Sequence, residues 1–388
     1  MRYIPRSLAG RLKDAAAHFP VIILTGPRRS GKTTLLQRCF PKASYHLLED
    51  PDTIGRVRND PRSFIESIRL PAVLDEIQNV PELLNYIRAQ VDRSGKRSQG
   101  WYLTGSQEPA LMKGVTESMA GRAAVFHLLP LSLAESSRVS LLKGGFPEVV
   151  GHPSVADVWF RSYIQTYLER DVRAISSIRD LATFRRFLSL VVSRIGTVLN
   201  RSDIATPMGV SVPTISEWLN ILEATHLILL VPPYYENFGK RLIKSPKLYF
   251  ADTGLAAYLL GMENERMLAR STFYGPLFES FVASEIVKAQ INAGRKKELY
   301  FFRDRQGLEV DFLVPKSGRR LALVEAKATR TIRPEAAEAM ARLKKAVSGY
   351  LVEAYLVHLP ASTGPSFSAI HPGIRTLTSH GISDLVLK

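Results

Sequence analysis

Cysteine is nearly absent from this 388-residue sequence: Cys39 stands alone. No intrachain disulfide can form, and a reducing compartment is expected. Long apolar runs are missing too. The longest candidates, around Leu227–Val231 and Leu128–Leu133, are short and lie beside prolines, whereas a bilayer span needs ~18–20 apolar residues. The opening Met1-Arg-Tyr-Ile-Pro-Arg-Ser is too polar for a secretory signal. The expectation is a cytoplasmic protein without a membrane partner. Acid is the third scarcity. There are 36 Asp and Glu against 52 Lys and Arg, a formal charge of +16. Such an excess points to a polyanionic partner, nucleic acid first and an anionic membrane surface second. The eight histidines are scattered, with no i, i+4 pair and no Cys/His set, which argues against zinc. Apolar residues are not scarce, at 45% against 23% charged. That mix is soluble and globular, and at roughly 150 residues per domain it suggests two or three domains.

Three textures divide the chain. Residues 1–135 alternate helical stretches with short apolar runs: Val21–Thr25, Ala72–Asp75, Trp101–Thr104 and Ala124–His127, with Tyr45–Leu48 as a plausible fifth. Near-continuous apolar strands suit a parallel sheet covered on both faces, an α/β core. Residues 136–262 read as mostly helical. Residues 263–388 return to α+β texture, with a helix near Leu277–Gln290 and strands at Leu299–Phe302, Leu308–Val314 and Leu321–Ala326.

The strongest motif is Gly26-Pro27-Arg28-Arg29-Ser30-Gly31-Lys32-Thr33, which fits G-x-x-x-x-G-K-[ST] between a strand and a helix that opens at Thr34. Its backbone N–H groups and the helix N-terminus suit phosphates. Lys32 is placed to neutralise a γ-phosphate, and the Thr33 hydroxyl to coordinate Mg²⁺. The expected cofactors are ATP and Mg²⁺. Ala72-Val-Leu-Asp75-Glu76 supplies the second half: Asp75 to hold the ion through water, Glu76 as general base. Beyond it, one of Thr104, Ser106 or Gln107 senses the γ-phosphate, or the segment is an ordinary strand-to-helix turn. Arg122, before the last strand, is the candidate cation for the transferring phosphoryl group, in cis or in trans.

Tyr3-Ile-Pro-Arg6, Leu24-Thr-Gly-Pro-Arg28, Leu103-Thr-Gly-Ser106, Ala120-Gly-Arg122 and Leu129-Pro-Leu-Ser132 resemble one prokaryotic AAA-type ATPase family with a C-terminal domain long catalogued as of unknown function. Gly145-Phe-Pro147, Tyr167-Leu-Glu-Arg-Asp171, Lys247-Leu-Tyr-Phe-Ala-Asp252-Thr-Gly254 and Glu309-Val-Asp-Phe312 extend the resemblance over nearly the whole chain. It implies an ATP-binding core and DNA-linked roles in many members. AAA-type cores commonly assemble into rings, so a homo-oligomer is expected.

In the middle region, Ser202–Ala205 starts a short helix, Met208-Gly209 makes a turn, and Ser211 caps a second helix from Val212,. This is the helix-turn-helix plan, with Leu227–Val231 and Lys247–Phe250 as wing strands. Lys240, Arg241, Lys244 and Lys247 form a basic segment suited to DNA phosphates. The second helix offers Thr214 and Ser216 but few cations, so backbone or shape recognition of duplex or branched DNA is expected. Packing or oligomer contact is the alternative use of such a fold.

Near the C-terminus, strand alternation sets Glu309 with Asp311 and Glu325 with Lys327 on shared faces, with Glu279 on the preceding helix. The order helix acid, Asp, Glu-x-Lys looks like the PD-(D/E)XK nuclease fold. The resemblance implies Glu279, Asp311 and Glu325 as ligands of a second Mg²⁺ and Lys327 as water activator. A nuclease-like binding shell and a plain cross-strand ion pair are the alternatives. The reading that joins these parts is a Mg²⁺-dependent ATPase that translocates on, branch-migrates or remodels DNA. The alternatives are an ATP-gated endonuclease and a slow nucleotide switch.

Overall fold

A computed structural model of the chain describes residues 3–95, 100–105, 115, 118–168, 181–234, 244–347, 349–360 and 369–388. Five short strands build the first sheet: β1 (Val21–Thr25), β2 (Ser44–Leu47), β3 (Ala72–Asp75), β4 (Trp101–Thr104) and β5 (Ala123–His127). Every pairing is parallel, in the order β2-β3-β4-β1-β5. Alternation along the strands feeds two cores. Val21, Ile23, Leu74, Trp101 and Leu103 pack on one face, while Ile22, Leu24, Val73 and Tyr102 pack on the other. Two covered faces explain why these strands read as unbroken apolar runs. This is the P-loop α/β core of AAA type. Because the strands are parallel, their C-terminal ends share one edge, and polar residues at those ends can meet.

The second region is largely helical. Helices Leu181–Val192, Ser202–Met208 and Val212–Ala224 precede an antiparallel pair, β6 (Ile228–Val231) and β7 (Lys247–Phe250). Gly209 ends the first short helix in the left-handed region at φ 66°, which glycine adopts without Cβ strain. The Ser211 hydroxyl then accepts the Thr214 N–H at 3.2 Å and caps the next helix,. Trp218 meets Phe187 edge-on in the shared core. Trp218 is therefore a packing residue.

The third region is a mixed six-stranded sheet in the order β12-β13-β11-β10-β9-β8. Its strands are β8 (Tyr300–Arg303), β9 (Glu309–Lys316), β10 (Arg320–Lys327), β11 (Leu351–His358), β12 (Ala369–His371) and β13 (Ile374–Thr378). Helix Tyr274–Asn292 packs on it through Phe278, Val282 and Ile286 against Phe312, Val324 and Val357. The same helix reaches the first region. Glu285 accepts the Leu133 N–H at 2.7 Å, and Lys288 donates to the Leu131 carbonyl at 3.0 Å. These two buried side chains also pair with each other at 3.0 Å. No helix among the described residues is long and apolar enough to cross a membrane.

Candidate active site

The loop after β1 turns back on itself at two glycines. Gly26 sits at φ 140°, and a Cβ there would lie 2.3 Å from the Leu128 carbonyl oxygen. Gly31 sits at φ 94° and starts helix Lys32–Cys39. A cavity of about 550 Å³ opens over this turn. Arg28 through Thr34 line it, together with Tyr3, Ile4, Arg6, Glu76, Pro147 and Glu148. Gly26 and Pro27 stand behind it. Their carbonyls accept the buried Lys32 ammonium, each at 3.0 Å.

Asp75, at the end of β3, is the acceptor on which the site converges. The Thr33 hydroxyl donates to its two oxygens at 3.1 and 2.9 Å. Tyr45 donates at 2.6 Å, and Thr104 also donates to Asp75. All these donors are neutral hydroxyls. A buried carboxylate whose donors are all neutral hydroxyls suits a hard cation. Thr33 and Asp75 thus fit Mg²⁺ on the chemistry of their oxygens. Thr104 binds on a second side, since its hydroxyl accepts the Glu76 N–H at 3.1 Å. Glu76 is in the left-handed region at φ 63°. Its carboxylate faces the Arg28 guanidinium at 3.9 Å and accepts from the Gln78 amide.

Two groups outside the motif complete this site. Arg6 donates to the Ser30 carbonyl at 2.7 Å, to the Leu129 carbonyl at 2.6 Å and to Glu135 at 3.0 Å. It fastens the phosphate loop to the segment after β5. Glu148 lies beside Arg29 at 3.7 Å, and burial raises its pKa above the ordinary carboxylate value. Burial, with the hydrogen bond to Asp75 second, raises the Tyr45 phenol as well. Sequence reasoning missed Tyr45 because its role depends on β2 lying next to β3. Arg6 belongs to a quoted segment, but nothing local marks its triple hydrogen bond.

Arg122 needs a correction. It precedes β5, whose first residue, Ala123, pairs with Val21 at the start of β1. The phosphate loop follows the other end of β1. At ~3.3 Å per residue, five residues set Arg122 about 15 Å away along the sheet. Its guanidinium grips Asp92 at 2.6 and 3.0 Å. A role in cis is excluded by strand direction.

Lys247 is also relocated. It is 3% exposed, and its ammonium meets Glu279 at 2.9 Å, Glu309 at 2.6 Å and Asp311 at 3.7 Å. It cannot reach a DNA phosphate from there. Lys244 is exposed. Thr214 is half-buried and bonded to Ser211 at 2.8 Å, and Ser216 donates to the Val212 carbonyl at 3.0 Å. Lys240, Arg241, Ser106 and Gln107 lie outside the described residues.

The C-terminal acids do come together. Tyr249 donates to Glu279, Lys327 donates to Glu325 at 2.6 Å, and Asp311 accepts the Ala326 N–H at 2.9 Å. Burial, then the Asp311 charge, pushes Glu279 up to about 7 and Glu325 up to about 8. Among the described residues, no group of three or more His, Cys, Asp or Glu is arranged to hold a metal ion.

A glycine-bent loop ahead of a helix, a lysine inside it, and Thr33 facing Asp75 across parallel strand ends define a P-loop ATPase of AAA type. Residues 18–137 match the family described as AAA domain, while 135–266 and 274–366 match two families described as Domain of unknown function (DUF8612 and DUF4143). An uncharacterized protein of Mycobacterium tuberculosis is 31% identical over 323 residues, covering 81% of this chain and 72% of that one, and one from Mycobacterium bovis matches equally. An uncharacterized protein of Methanocaldococcus jannaschii is 23% identical over 332 residues, with 75% and 71% covered. The chain belongs to the family of the mycobacterial proteins. Among solved structures, a Walker-type ATPase of Pyrococcus abyssi is similar at 16% identity and a TM-score of 0.46, covering 65% of this chain and 94% of that one. A RuvB structure from Thermotoga maritima is similar at 17% identity and a TM-score of 0.30, with 58% and 89% covered. At these scores neither carries a functional argument.

Proposed function

We propose that this protein is a Mg²⁺-dependent ATPase that binds duplex or branched DNA and uses ATP binding or hydrolysis to translocate on, branch-migrate or remodel it. The carrying observation is that Lys32, Thr33 and Glu76 line one cavity, with Asp75 held behind Thr33 by its hydroxyl. Lys32 leaves the carbonyls of Gly26 and Pro27 to bind a terminal phosphate. Thr33 and Asp75 hold Mg²⁺, which neutralises phosphate charge when bound. Glu76, released from Arg28 and Gln78, accepts a proton from the attacking water. Tyr3, Ile4 and Pro147 form the less polar wall of the cavity and suit a base.

The DNA assignment rests on the +16 charge and on the helix–turn–helix order followed by a strand pair, which supports a winged helix in residues 202–250. Lys244 is exposed on that segment. Arg122 serves across a subunit boundary in an oligomer, since its own site is beyond reach. A slow nucleotide switch is the second reading, and one observation favours it: Glu76 rests bound to Arg28 and Gln78, so turnover requires those contacts to open. One experiment separates the two. ATP turnover is measured with no DNA, duplex, single-stranded and four-way DNA. Stimulation by DNA that falls steeply with salt supports the motor. Turnover indifferent to DNA supports the switch, and no turnover by the intact protein sinks both.

A further inference from the structure

The C-terminal acids have the order expected of a metal-dependent nuclease, yet they do not fit a divalent ion. Most of their oxygens are already engaged, by ammonium and guanidinium groups and by backbone N–H groups. Lys247 lies among Glu279, Glu309 and Asp311, at 2.9, 2.6 and 3.7 Å. Glu309 spends its other oxygen on Arg303 at 3.3 Å. Glu325 is paired with Lys327 at 2.6 Å. The remaining Asp311 oxygen accepts a backbone N–H from β10 at 2.9 Å.

Lys247 is the group at the centre of this arrangement. It is the first residue of β7 and comes from the middle region, not from the sheet that carries the acids. Its side chain is 3% exposed, and its ammonium also lies 5.6 Å from the centroid of the Phe301 ring, a second contact that favours a cation. Alternation along β7 puts Lys247 and Tyr249 on one face, and both donate to the same Glu279 oxygen. Three carboxylates around one desolvated ammonium satisfy its charge, whereas a divalent ion in the same place would have to expel it.

We propose that Lys247 is the resident cation of this cluster: its ammonium takes the place of a metal, so the C-terminal region is not a metal-dependent nuclease. The cluster fastens the β6–β7 pair to the C-terminal sheet instead. This inference stands apart from the ATPase reading and can fail without it.

The test uses the full-length protein without nucleotide and Mn²⁺ as the probe. Binding is followed by calorimetry, with wild type compared against Asp311→Asn. The expected result is superimposable isotherms, because any Mn²⁺ taken up sits elsewhere. Lys247→Ala then gains a site at least tenfold tighter than any in wild type, and the gain disappears in the Lys247→Ala, Asp311→Asn double variant. Wild-type Mn²⁺ uptake abolished by Asp311→Asn would overturn the proposal. So would Mg²⁺-dependent DNA cleavage by wild type that Asp311→Asn removes. A folded Lys247→Ala that takes up no Mn²⁺ would also overturn it. Should that variant fail to fold, the comparison of wild type with Asp311→Asn still decides.

Discussion

Asp75 and Asp311 are both buried aspartates on strands, and their surroundings differ in one respect. Asp75 is met by hydroxyls, from Thr33, Tyr45 and Thr104. Asp311 sits among ammonium groups, with Lys247 at 3.7 Å and Lys327 bonded to the neighbouring Glu325. Neutral donors orient a carboxylate but leave its charge to be met by a visitor. A resident ammonium nearby meets it permanently. The same side chain is therefore a socket in the first region and a fastener in the third, and whether a cation is already resident decides which.

The largest effect that tests this contrast is on turnover. Lys32→Ala and Glu76→Gln should each lower kcat by about 10²- to 10⁴-fold. ATP turnover surviving both substitutions would show that the Asp75 socket is not where ATP is hydrolysed. Stability should respond in the opposite sense at the two aspartate sites. Lys247→Ala strands carboxylates without their cation and should cost about 3–5 kcal/mol, read as a lower denaturant midpoint. Asp75→Asn removes a carboxylate whose hydrogen-bond donors are neutral hydroxyls, so its midpoint should hold or rise while turnover is lost. Equal losses from both substitutions would erase the distinction.

A pH scan sharpens it at the junction between regions. The His226 ring meets His127 edge-on, and burial, with His127 and Lys297 secondary, lowers its pKa to about 3. A histidine depressed in the fold contributes stability that is present above about 6.5 and lost as pH falls toward the folded value. Thermal unfolding should therefore show an acid-side loss that His226→Asn reduces; asparagine tolerates the φ of 55° found there,. An unchanged slope in that variant would place the acid sensitivity elsewhere. The smallest effect belongs to Tyr45→Phe, which removes one of three hydroxyls from Asp75. About 1 kcal/mol, or a few-fold in kcat, is expected, and a loss as large as that of Lys32→Ala would mean that Tyr45 does more than orient Asp75.

The phosphate loop was legible because its parts are contiguous: strand, glycine turn, lysine and helix follow one another within a dozen positions. Asp75 and Glu76 were legible because an apolar run ending in two acids marks a strand end. Tyr45 was not, since only the sheet order brings β2 beside β3. The cis reading of Arg122 failed for a reason already implicit in the sequence. In a parallel sheet the residue before a strand lies on the edge opposite the loops that follow strands, so an expected parallel core argued against it. Lys247 misled through its neighbours. A lysine at the end of a basic stretch looks like part of a phosphate-binding wing, but Lys247-Leu-Tyr-Phe opens a buried strand. A charge at the head of an apolar strand, two residues from a tyrosine on the same face, is better read as the partner of a distant acid.

Helix Tyr274–Asn292 carries Glu279 toward that cluster and, two turns later, Glu285 and Lys288 toward residues 131–133, where Leu131 borders the nucleotide cavity. Sliding that joint would break both hydrogen bonds and leave the Leu133 N–H and the Leu131 carbonyl without these partners, at a cost of about 1–3 kcal/mol each. It behaves as a weld. The rim of the cavity and the C-terminal body are tied through it, so a rearrangement that moves Leu131 is passed directly to that helix.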